Sequence, residues 1–306
     1  MLERLATKNT KSQIDGHIAD VRDRKRIFKL IGDYKPDLVF HAAALKHVPL
    51  LEVDWHEGIK TNIFGSVNVA DAAVAAGAAA MVMVSTDKAI EPVSVLGVTK
   101  RFAEMYCQAL DADLSQRLRG EQTRLVAVRF GNVLASNGSV VPKFKAQIEA
   151  GGPVTVTHPD MVRYFMTIRE ACDLVITAAS HALDAVRSDV SVYLLNMGQP
   201  VRIVDLAERM IRLVGLEPGR DIDIVFSGIR PGERLHEIMF AQEEPTAEIG
   251  IAGIVAARPP RASLEALRAQ LKLLESALSN EDHPTVVGLF SEISSNFRVD
   301  HAAAAK

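Results

Sequence analysis

Ala80-Met-Val-Met-Val-Ser-Thr-Asp-Lys88 is an apolar run that ends in two hydroxyls, a carboxylate and an amine. Its first five residues predict a buried β-strand. A helical pattern follows over residues 95–114, and a further apolar strand is predicted over residues 124–130. Strands separated by helices of this length are typical of a doubly wound, parallel α/β sheet. We therefore expect an α/β fold.

The chain on the N-terminal side of this segment repeats the pattern. Residues 37–41 predict another strand, and residues 68–76 predict the end of a helix that Gly77 caps. In a doubly wound sheet, ligands bind beyond the carboxyl ends of the strands, where the strand order reverses. Small or polar residues follow three predicted strands, at positions 41–44, 85–88 and 130–132. These clusters predict one site at this edge of the sheet.

The pattern becomes looser in the second half of the chain. Strands are predicted near residues 154–157, 192–196 and 222–226, which indicates a smaller substrate-binding lobe, mainly from residue 132 onward. A helical tail is predicted from leucines at helical spacing, at Leu264, Leu267, Leu271, Leu274 and Leu278. The predicted organisation is thus a body over residues 1–258 and a helical tail over residues 259–306.

Composition narrows the possible functions. A hydrophobic content of 48%, a charged content of 24% and a formal net charge of -3 over 306 residues are typical of an ordinary soluble domain and argue against nucleic-acid binding. Cys107 and Cys172 have no metal-ligand spacing, so we expect no metal, no disulfide and a cytoplasmic location. The longest apolar run, residues 69–84, contains Asp71 and is too weak for a membrane span, and residues 1–11 do not read as a signal peptide.

The triplet Thr86-Asp87-Lys88 carries a hydrogen-bond donor, a potential acid and a potential base. An elimination across adjacent sugar carbons needs one group to remove a proton and another to protonate the leaving hydroxyl. Lysine acts as a base only if its pKa is lowered, and Lys100 is the nearby cation expected to lower it. The alternative interpretation is a surface turn in which Asp87 caps the next helix, with Lys100 as a solvent-facing helix residue.

Other polar residues are candidates for binding a phosphorylated ligand. Lys46 and His47 follow the small residues Ala42, Ala43 and Ala44 and could contact phosphate, although small-residue packing explains them equally well. Arg230 could pair with a diphosphate while Glu233 accepts hydroxyls, or the two could belong to a turn. Asn132 and Ser139 lie in hydrogen-bonding loops, and Arg163 precedes two aromatic residues as at a lobe interface.

These motifs occur in the same order in one family that we recognise. Over about residues 14–240 the chain resembles the bacterial polysaccharide-biosynthesis (capsular type) nucleotide-sugar 4,6-dehydratases, which belong to the extended short-chain dehydrogenase/reductase superfamily with a Rossmann-like fold. The matching segments are Asp20-Val-Arg-Asp23, His41-Ala-Ala-Ala-Leu-Lys-His-Val-Pro-Leu50, Thr61-Asn62, Ser85-Thr-Asp-Lys-Ala89, Gly97-Val-Thr-Lys-Arg101, Arg129-Phe-Gly-Asn-Val133, Gly138-Ser-Val-Val-Pro142, Thr157-His-Pro-Asp160, Arg163-Tyr-Phe-Met-Thr167 and Arg230-Pro-Gly-Glu233.

The resemblance implies a cofactor, a substrate and a reaction. The cofactor would be NAD rather than NADP, and the substrate a UDP-N-acetylhexosamine that is oxidised at C4, deprotonated at C5 and stripped of its C6 hydroxyl before hydride returns to C6. Asp87 would protonate the C6 hydroxyl, Lys88 would remove the C5 proton, Thr86 would bind the C4 oxygen and Lys100 the nicotinamide ribose. Further cofactor contacts are implied for Asp20, Val21, Ala42, Ala43, Ala44 and Asn62, and substrate contacts for Asn132, Ser139, Arg163, Arg230 and Glu233.

Two departures from the family pattern lead to further expectations. Leu96 stands where the superfamily usually has tyrosine and this branch has methionine, so no phenolate base is expected there. The 306 residues contain no Gly-x-Gly-x-x-Gly, so we expect a sheet without its first βαβ unit and an unpaired apolar edge. Weak NAD affinity and aggregation are then expected unless another chain supplies that unit. A homo-oligomer is the other expected partner arrangement. A UDP-sugar 4-epimerase and an inactive remnant that binds a nucleotide sugar or a partner remain alternatives.

Overall fold

A computed structural model describes residues 13–117, 122–136, 138–184, 190–195, 197–241 and 244–297. The strands are β1 (Leu38–His41), β2 (Ala80–Val84), β3 (Arg124–Arg129), β4 (Asn132–Val133), β5 (Val154–Val156), β6 (Val162–Arg163), β7 (Phe165–Met166), β8 (Val192–Leu195), β9 (Val201–Arg202), β10 (Ile224–Phe226), β11 (Thr246–Glu248) and β12 (Ile254–Ala257). The α-helices are α1 (Arg24–Tyr34), α2 (Val48–Val53), α3 (Trp55–Gly58), α4 (Gly65–Ala76), α5 (Val95–Arg117), α6 (Val140–Glu149), α7 (Ile168–Ala182), α8 (Ile203–Leu213), α9 (Leu264–Ser279) and α10 (His283–Ile293). A π-helix (Ile59–Phe64) precedes α4, and a 3-10 turn (Asp87–Ala89) follows β2.

The central sheet has the order β1-β2-β3-β8-β12-β11 within the described residues. The strands β1, β2, β3 and β8 are parallel, as predicted, whereas β12 is antiparallel to both of its neighbours. The predicted parallel sheet thus holds for β1, β2, β3 and β8, and antiparallel pairing extends it at the far side. There residues 249–253 join β11 directly to β12, and a short connection of this kind produces antiparallel pairing.

Helices cover both faces of the sheet, which confirms the doubly wound arrangement. Along β2, Met81 and Met83 pack with buried residues of α4 and α5, whereas Val82 packs with Leu174 of α7 on the opposite face. Because successive side chains of a strand point to opposite faces, a strand covered on both sides has to be apolar throughout. This requirement explains the unbroken apolar run 80–84 from which the strand was predicted.

A smaller lobe lies beyond the carboxyl ends of these strands. Its core contains Phe144 of α6, Val154 of β5 and Ile211 of α8, and β5 pairs with β10. The predicted strand at 192–196 does not belong to this lobe, because β8 pairs with β3 in the central sheet, and Asn196 lies outside the described residues. The lobe is therefore an insertion between strands of the main sheet.

The predicted helical tail consists of α9 and α10. Leu267 and Leu274 of α9 and Phe290 of α10 are buried in the same core as α5. Residues 298–306 lie outside the described residues, as do residues 1–12, on which the signal-peptide expectation rested. None of the helices described is both long enough and apolar enough to cross a bilayer.

Strand β1 forms one side of the sheet in the described part of the chain. It pairs with β2, and no strand pairs with its other side among these residues. Leu38 and Phe40, which share a face of β1, are 38% and 48% exposed. The unpaired apolar edge expected from the sequence is thus present in the described structure.

Candidate active site

A cleft of about 510 Å³ lies between the carboxyl ends of β1–β3 and the lobe. Most of the residues selected from the sequence line it: Ala42, Ala44, Lys46, His47, Thr86, Lys88, Lys100, Asn132, Ser139, Arg163, Arg230 and Glu233. The parallel register aligns His41 with Met83 and Val84 with Val128, so three loops leave the sheet at nearly the same level. This alignment brings together the polar clusters that follow the three strands.

The 3-10 turn after β2 brings Lys88 to the cleft wall and buries Asp87 directly behind it. Thr86 caps the turn, and its Oγ1 donates to Asp87 Oδ1 at 2.9 Å. Asp87 is only 2% exposed, so the surface-turn alternative is wrong. A Cβ on Gly97 would lie 2.2 Å from the Lys88 carbonyl oxygen, which means that α5 reaches this turn only because residue 97 is glycine.

Two carboxylates surround the amine of Lys88. Its Nζ lies 3.0 Å from Asp87 Oδ1 and 3.1 Å from Glu237 Oε1. Burial lowers the pKa of Lys88, but these two carboxylates outweigh burial and the pKa is raised above its ordinary value. The expectation that Lys100 lowers this pKa is therefore wrong, because the opposing cation near Lys88 is Arg163 and the carboxylates exceed its effect.

Lys100 reaches the cleft from α5. Burial lowers its pKa to about 8, although Glu104 opposes this shift. The imidazole of His41, buried nearby, has its pKa lowered to about 3 by burial and by the Lys100 charge. Leu96 lines the cleft one turn before Lys100, and no tyrosine is found among the described residues that line it. The described residues that line the cleft therefore include no phenol, either at position 96 or elsewhere.

Several cations lie at the lobe end of the cleft. Lys143 of α6 has its pKa lowered by partial burial and by the charge of Arg230, so these two side chains are close together. Arg230 pairs with Glu233 at 2.5 Å, and Lys46 Nζ reaches Ser136 Oγ at 3.4 Å. Close cations at the mouth of a cleft favour an anionic ligand such as a diphosphate.

Three of the candidate catalytic and substrate-binding residues have a buried polar atom without a hydrogen-bond partner in the described part of the chain: Asp87 Oδ2, Ser139 Oγ and Glu233 Oε2. Buried polar atoms are normally satisfied, and leaving one unpaired costs about 1–3 kcal/mol. A polar ligand in the cleft would remove this cost. Arg163 differs from them, because it donates to the carbonyls of Val162 and Leu235 and pairs with Glu237.

Four predicted cofactor residues do not line the cleft. Asn62 is completely buried in the π-helix, and its amide bonds the N–H and C=O of Leu45 at 2.9 and 3.0 Å. It therefore shapes the wall of the cleft through Leu45, and its direct contact with the cofactor stays a prediction. Asp20 pairs with Arg22 on the surface, Val21 packs against Gly65, and Ala43 is absent from the cleft wall, so their implied roles stay predictions.

Sequence reasoning missed Glu237 and a buried charge network under the site. Arg129 of β3 pairs with Glu104 of α5 at 2.6 Å and with Glu244, which precedes β11, at 2.5 Å. Glu237 lies four residues after Glu233, and this spacing was the one signal that the sequence offered. Its partner Lys88, however, is far away along the chain. Contacts of this kind depend on the fold and are not visible in local spacing.

The model of the family described as "Polysaccharide biosynthesis protein" matches residues 1–259. The chain belongs to this family. It is 53% identical over 227 residues to the capsular polysaccharide biosynthesis protein CapD of Staphylococcus aureus, which covers 74% of this chain and 36% of CapD. A UDP-glucose 4-epimerase of Rickettsia felis is 34% identical over 242 residues, covering 79% of this chain and 65% of the epimerase. The chain thus spans about a third of the length of CapD.

Two solved structures share the architecture of this family member. Pen from Bacillus thuringiensis superimposes with a TM-score of 0.73 at 30% identity, covering 89% of this chain and 85% of Pen. The dTDP-glucose 4,6-dehydratase DesIV from Streptomyces venezuelae, solved with NAD bound, gives a TM-score of 0.66 at 17% identity, covering 93% of this chain and 86% of DesIV. The fold is therefore Rossmann-like, of the kind found in NAD-dependent nucleotide-sugar enzymes.

Proposed function

We propose that this protein is a UDP-N-acetylhexosamine 4,6-dehydratase of polysaccharide biosynthesis. The observation that carries the proposal is the pair of Lys88, which lines the cleft, and Asp87, which is buried directly behind it: their charged atoms are 3.0 Å apart, and Asp87 Oδ2 is unpartnered among the described residues. Membership of the polysaccharide biosynthesis family supports the substrate class. The cytoplasmic location, expected from composition and from the resemblance, is part of the same proposal.

In this reaction Asp87 would act as the acid and Lys88 as the base. Asp87, in its protonated form, would give its proton to the C6 hydroxyl of the sugar, which leaves as water. Lys88, in its neutral form, would take the C5 proton, whose acidity comes from the ketone at C4. Thr86 would turn its single O–H from Asp87 Oδ1 to the C4 oxygen of the sugar. Arg230, Lys143 and Ser139 would hold the diphosphate.

The residues present fit the nicotinamide half of NAD. Ala42 and Ala44 have minimal side chains, Lys100 brings an amine to the same wall, and Asn62 fixes the backbone of Leu45 there. When bound, NAD would supply the hydride acceptor for C4 and the hydride donor for C6. We propose that its pyrophosphate is held by a glycine-rich segment that pairs with the open side of β1, because no Gly-x-Gly-x-x-Gly occurs in the 306 residues.

The second candidate function is a UDP-sugar 4-epimerase, which the Rickettsia relative favours. Epimerisation inverts C4 and needs no acid at C6, so the buried Asp87 argues for elimination. The remaining alternative is a chain that binds nucleotide sugar without turnover. All three share the sugar-nucleotide cleft and differ in the product.

The test is incubation of the purified protein with UDP-N-acetylglucosamine and added NAD, followed by mass spectrometry and NMR. Loss of one water with a 4-keto-6-deoxy product supports the dehydratase, and a galacto-configured product of unchanged mass supports the epimerase. An unchanged substrate that nevertheless binds, measured by calorimetry, supports the non-catalytic alternative. Asp87→Asn is the matched variant, since it should abolish loss of water without removing a side chain.

A further inference from the structure

Glu237 is a buried carboxylate in the cleft to which neither the motif analysis nor the resemblance gives a role. Only 5% of its side chain is exposed, and its Oε1 lies 3.1 Å from Lys88 Nζ and 3.3 Å from Arg163 Nε. It reaches the cleft from the segment after Arg230-Pro-Gly-Glu233, whereas Lys88 comes from the turn after β2. One carboxylate therefore joins the predicted base to the lobe.

This contact creates a chemical problem for Lys88. An amine held between Asp87 and Glu237 is stabilised as an ammonium ion, and an ammonium ion cannot accept the C5 proton. The other charged group facing it is the Arg163 cation, which opposes the carboxylates and also binds Glu237 itself. On α5, which packs against the turn, the charged side chains in the first turns after Gly97 are Lys100, Arg101 and Glu104, and Glu104 pairs with Arg129 and Arg101.

We propose that Glu237 is a positioning residue for Lys88, which orients the amine toward Asp87 and keeps it protonated until the Glu237 contact is broken. Its place in catalysis rests on the proposed dehydratase function, but its effect on Lys88 does not. Since Arg163 holds the same Glu237 oxygen, any movement of the lobe that draws Arg163 and Glu237 away from β2 releases Lys88 to act as a base. Glu237 thus links the position of the lobe to the protonation of the lysine.

The direct test measures the protonation of Lys88 without requiring turnover. Lysines react with acetic anhydride in their neutral form, so the pH midpoint of acetylation, followed by peptide mass spectrometry, reports each amine pKa separately. The midpoint does not depend on how accessible the amine is. In the unmodified protein, we expect Lys88 to titrate above the ordinary value of a lysine side chain, measured on a short model peptide under the same conditions. A Lys88 midpoint at or below that of the model peptide would overturn the proposal even if no variant folded.

The variants then assign the effect to Glu237. In Glu237→Gln the midpoint of Lys88 should fall by about one pH unit, because one carboxylate contact is lost while the side-chain shape is kept. Glu237→Asp keeps the charge but withdraws it by one methylene, so a smaller fall is expected. Glu248→Gln, which removes an exposed carboxylate of β11, should leave the midpoint unchanged. An equal midpoint in Glu237→Gln and in the unmodified protein would refute the role given to Glu237.

If the protein is active, a second measurement connects this effect to catalysis. In Glu237→Gln the acidic limb of the pH profile of kcat/KM should move to lower pH, since Lys88 loses its proton more readily. A purely structural role would lower the rate without moving that limb. If the protein is inactive with every substrate, the proposed dehydratase fails, but the acetylation result still decides whether Glu237 controls Lys88.

Discussion

At the scale of single residues, the site depends on charged side chains that are buried away from water. Asp87 and Glu237 are almost completely buried, and they hold Lys88 and Arg163 within 3.3 Å. Charged groups that are this close together and this well shielded from water shift each other's pKa strongly. On the surface, water and salt would screen the same groups from each other. The chemistry of the triplet 86–88 is therefore set by contacts with distant parts of the chain.

Lys88 is the residue on which the elimination depends most. In Lys88→Ala and in Lys88→Arg we expect elimination to fall by at least about 100-fold, since neither side chain can take the C5 proton. Binding of the UDP-sugar should stay within about threefold, because the proposed diphosphate contacts lie elsewhere in the cleft. Product formation and calorimetry measure the two effects. A variant that keeps full turnover would refute the role of Lys88 as base.

Gly97 permits the close contact between α5 and the turn that carries Lys88. Gly97→Ala places a methyl group 2.2 Å from the Lys88 carbonyl oxygen, which is backbone and cannot rotate away. We expect a loss of about 1–3 kcal/mol in the free energy of unfolding, measured in urea. Gly288→Ala in α10 is the control, since nothing lies within 4 Å of its new methyl group and helix propensity should stabilise it by up to about 1 kcal/mol. Equal effects of the two substitutions would contradict this packing argument.

At the scale of elements, the local sequence pattern predicted those strands and helices whose own residues show an apolar run or a helical period. β2 was predicted with its observed bounds, and the start of α5 was predicted correctly, because an unbroken apolar run and a helical period report burial directly. The antiparallel β12 was missed although it is as long as β1, because it ends in two alanines, which have low strand propensity. The sequence also does not reveal that the π-helix turns the amide of Asn62 toward Leu45.

Three elements are joined by the buried network of Arg129, Glu104 and Glu244. In Arg129→Met both carboxylates lose their shortest ion pair and keep the longer one to Arg101, so we expect the free energy of unfolding to fall by about 3–5 kcal/mol at pH 8. Pairing with Arg129 helps to lower the pKa of Glu104 against the effect of burial. Without this cation the pKa of Glu104 should rise above its unfolded value, so the carboxylate becomes protonated in the folded state as the pH falls.

The destabilisation of Arg129→Met should consequently be smaller at pH 5 than at pH 8, which urea unfolding at the two pH values measures. In the unmodified protein the sign is the opposite, since a carboxyl group with a lowered folded pKa contributes stability above its unfolded pKa and loses it on acidification. Arg169→Met is the control, because that side chain is 91% exposed and its loss should change stability by less than about 0.5 kcal/mol. A pH-independent loss would contradict the ionic interpretation.

At the scale of the whole molecule, the cleft forms only when the lobe folds back over the sheet. The lobe core comes from residues 144–161 and 203–222, which lie before and after β8, and β8 pairs with β3 in the central sheet. The lobe is therefore anchored to the sheet on both sides, and its cationic residues face the strand ends. The helices α9 and α10, in the predicted helical tail, pack into the core around α5.

At the scale of the whole molecule, the unpaired edge of β1 is the surface at which we expect molecules to associate. A strand with an unpaired side and apolar residues in view tends to pair with other chains, and charged residues prevent this pairing. We expect Phe40→Lys to reduce concentration-dependent association, measured by sedimentation velocity. Phe40 is 48% exposed, so the lysine would place a charge on the exposed face of β1. Leu213→Lys, at an 83% exposed position at the end of α8, is the matched control and should leave association unchanged. If both variants associate like the unmodified protein, contacts between molecules form elsewhere and the β1 edge is not the surface that joins them.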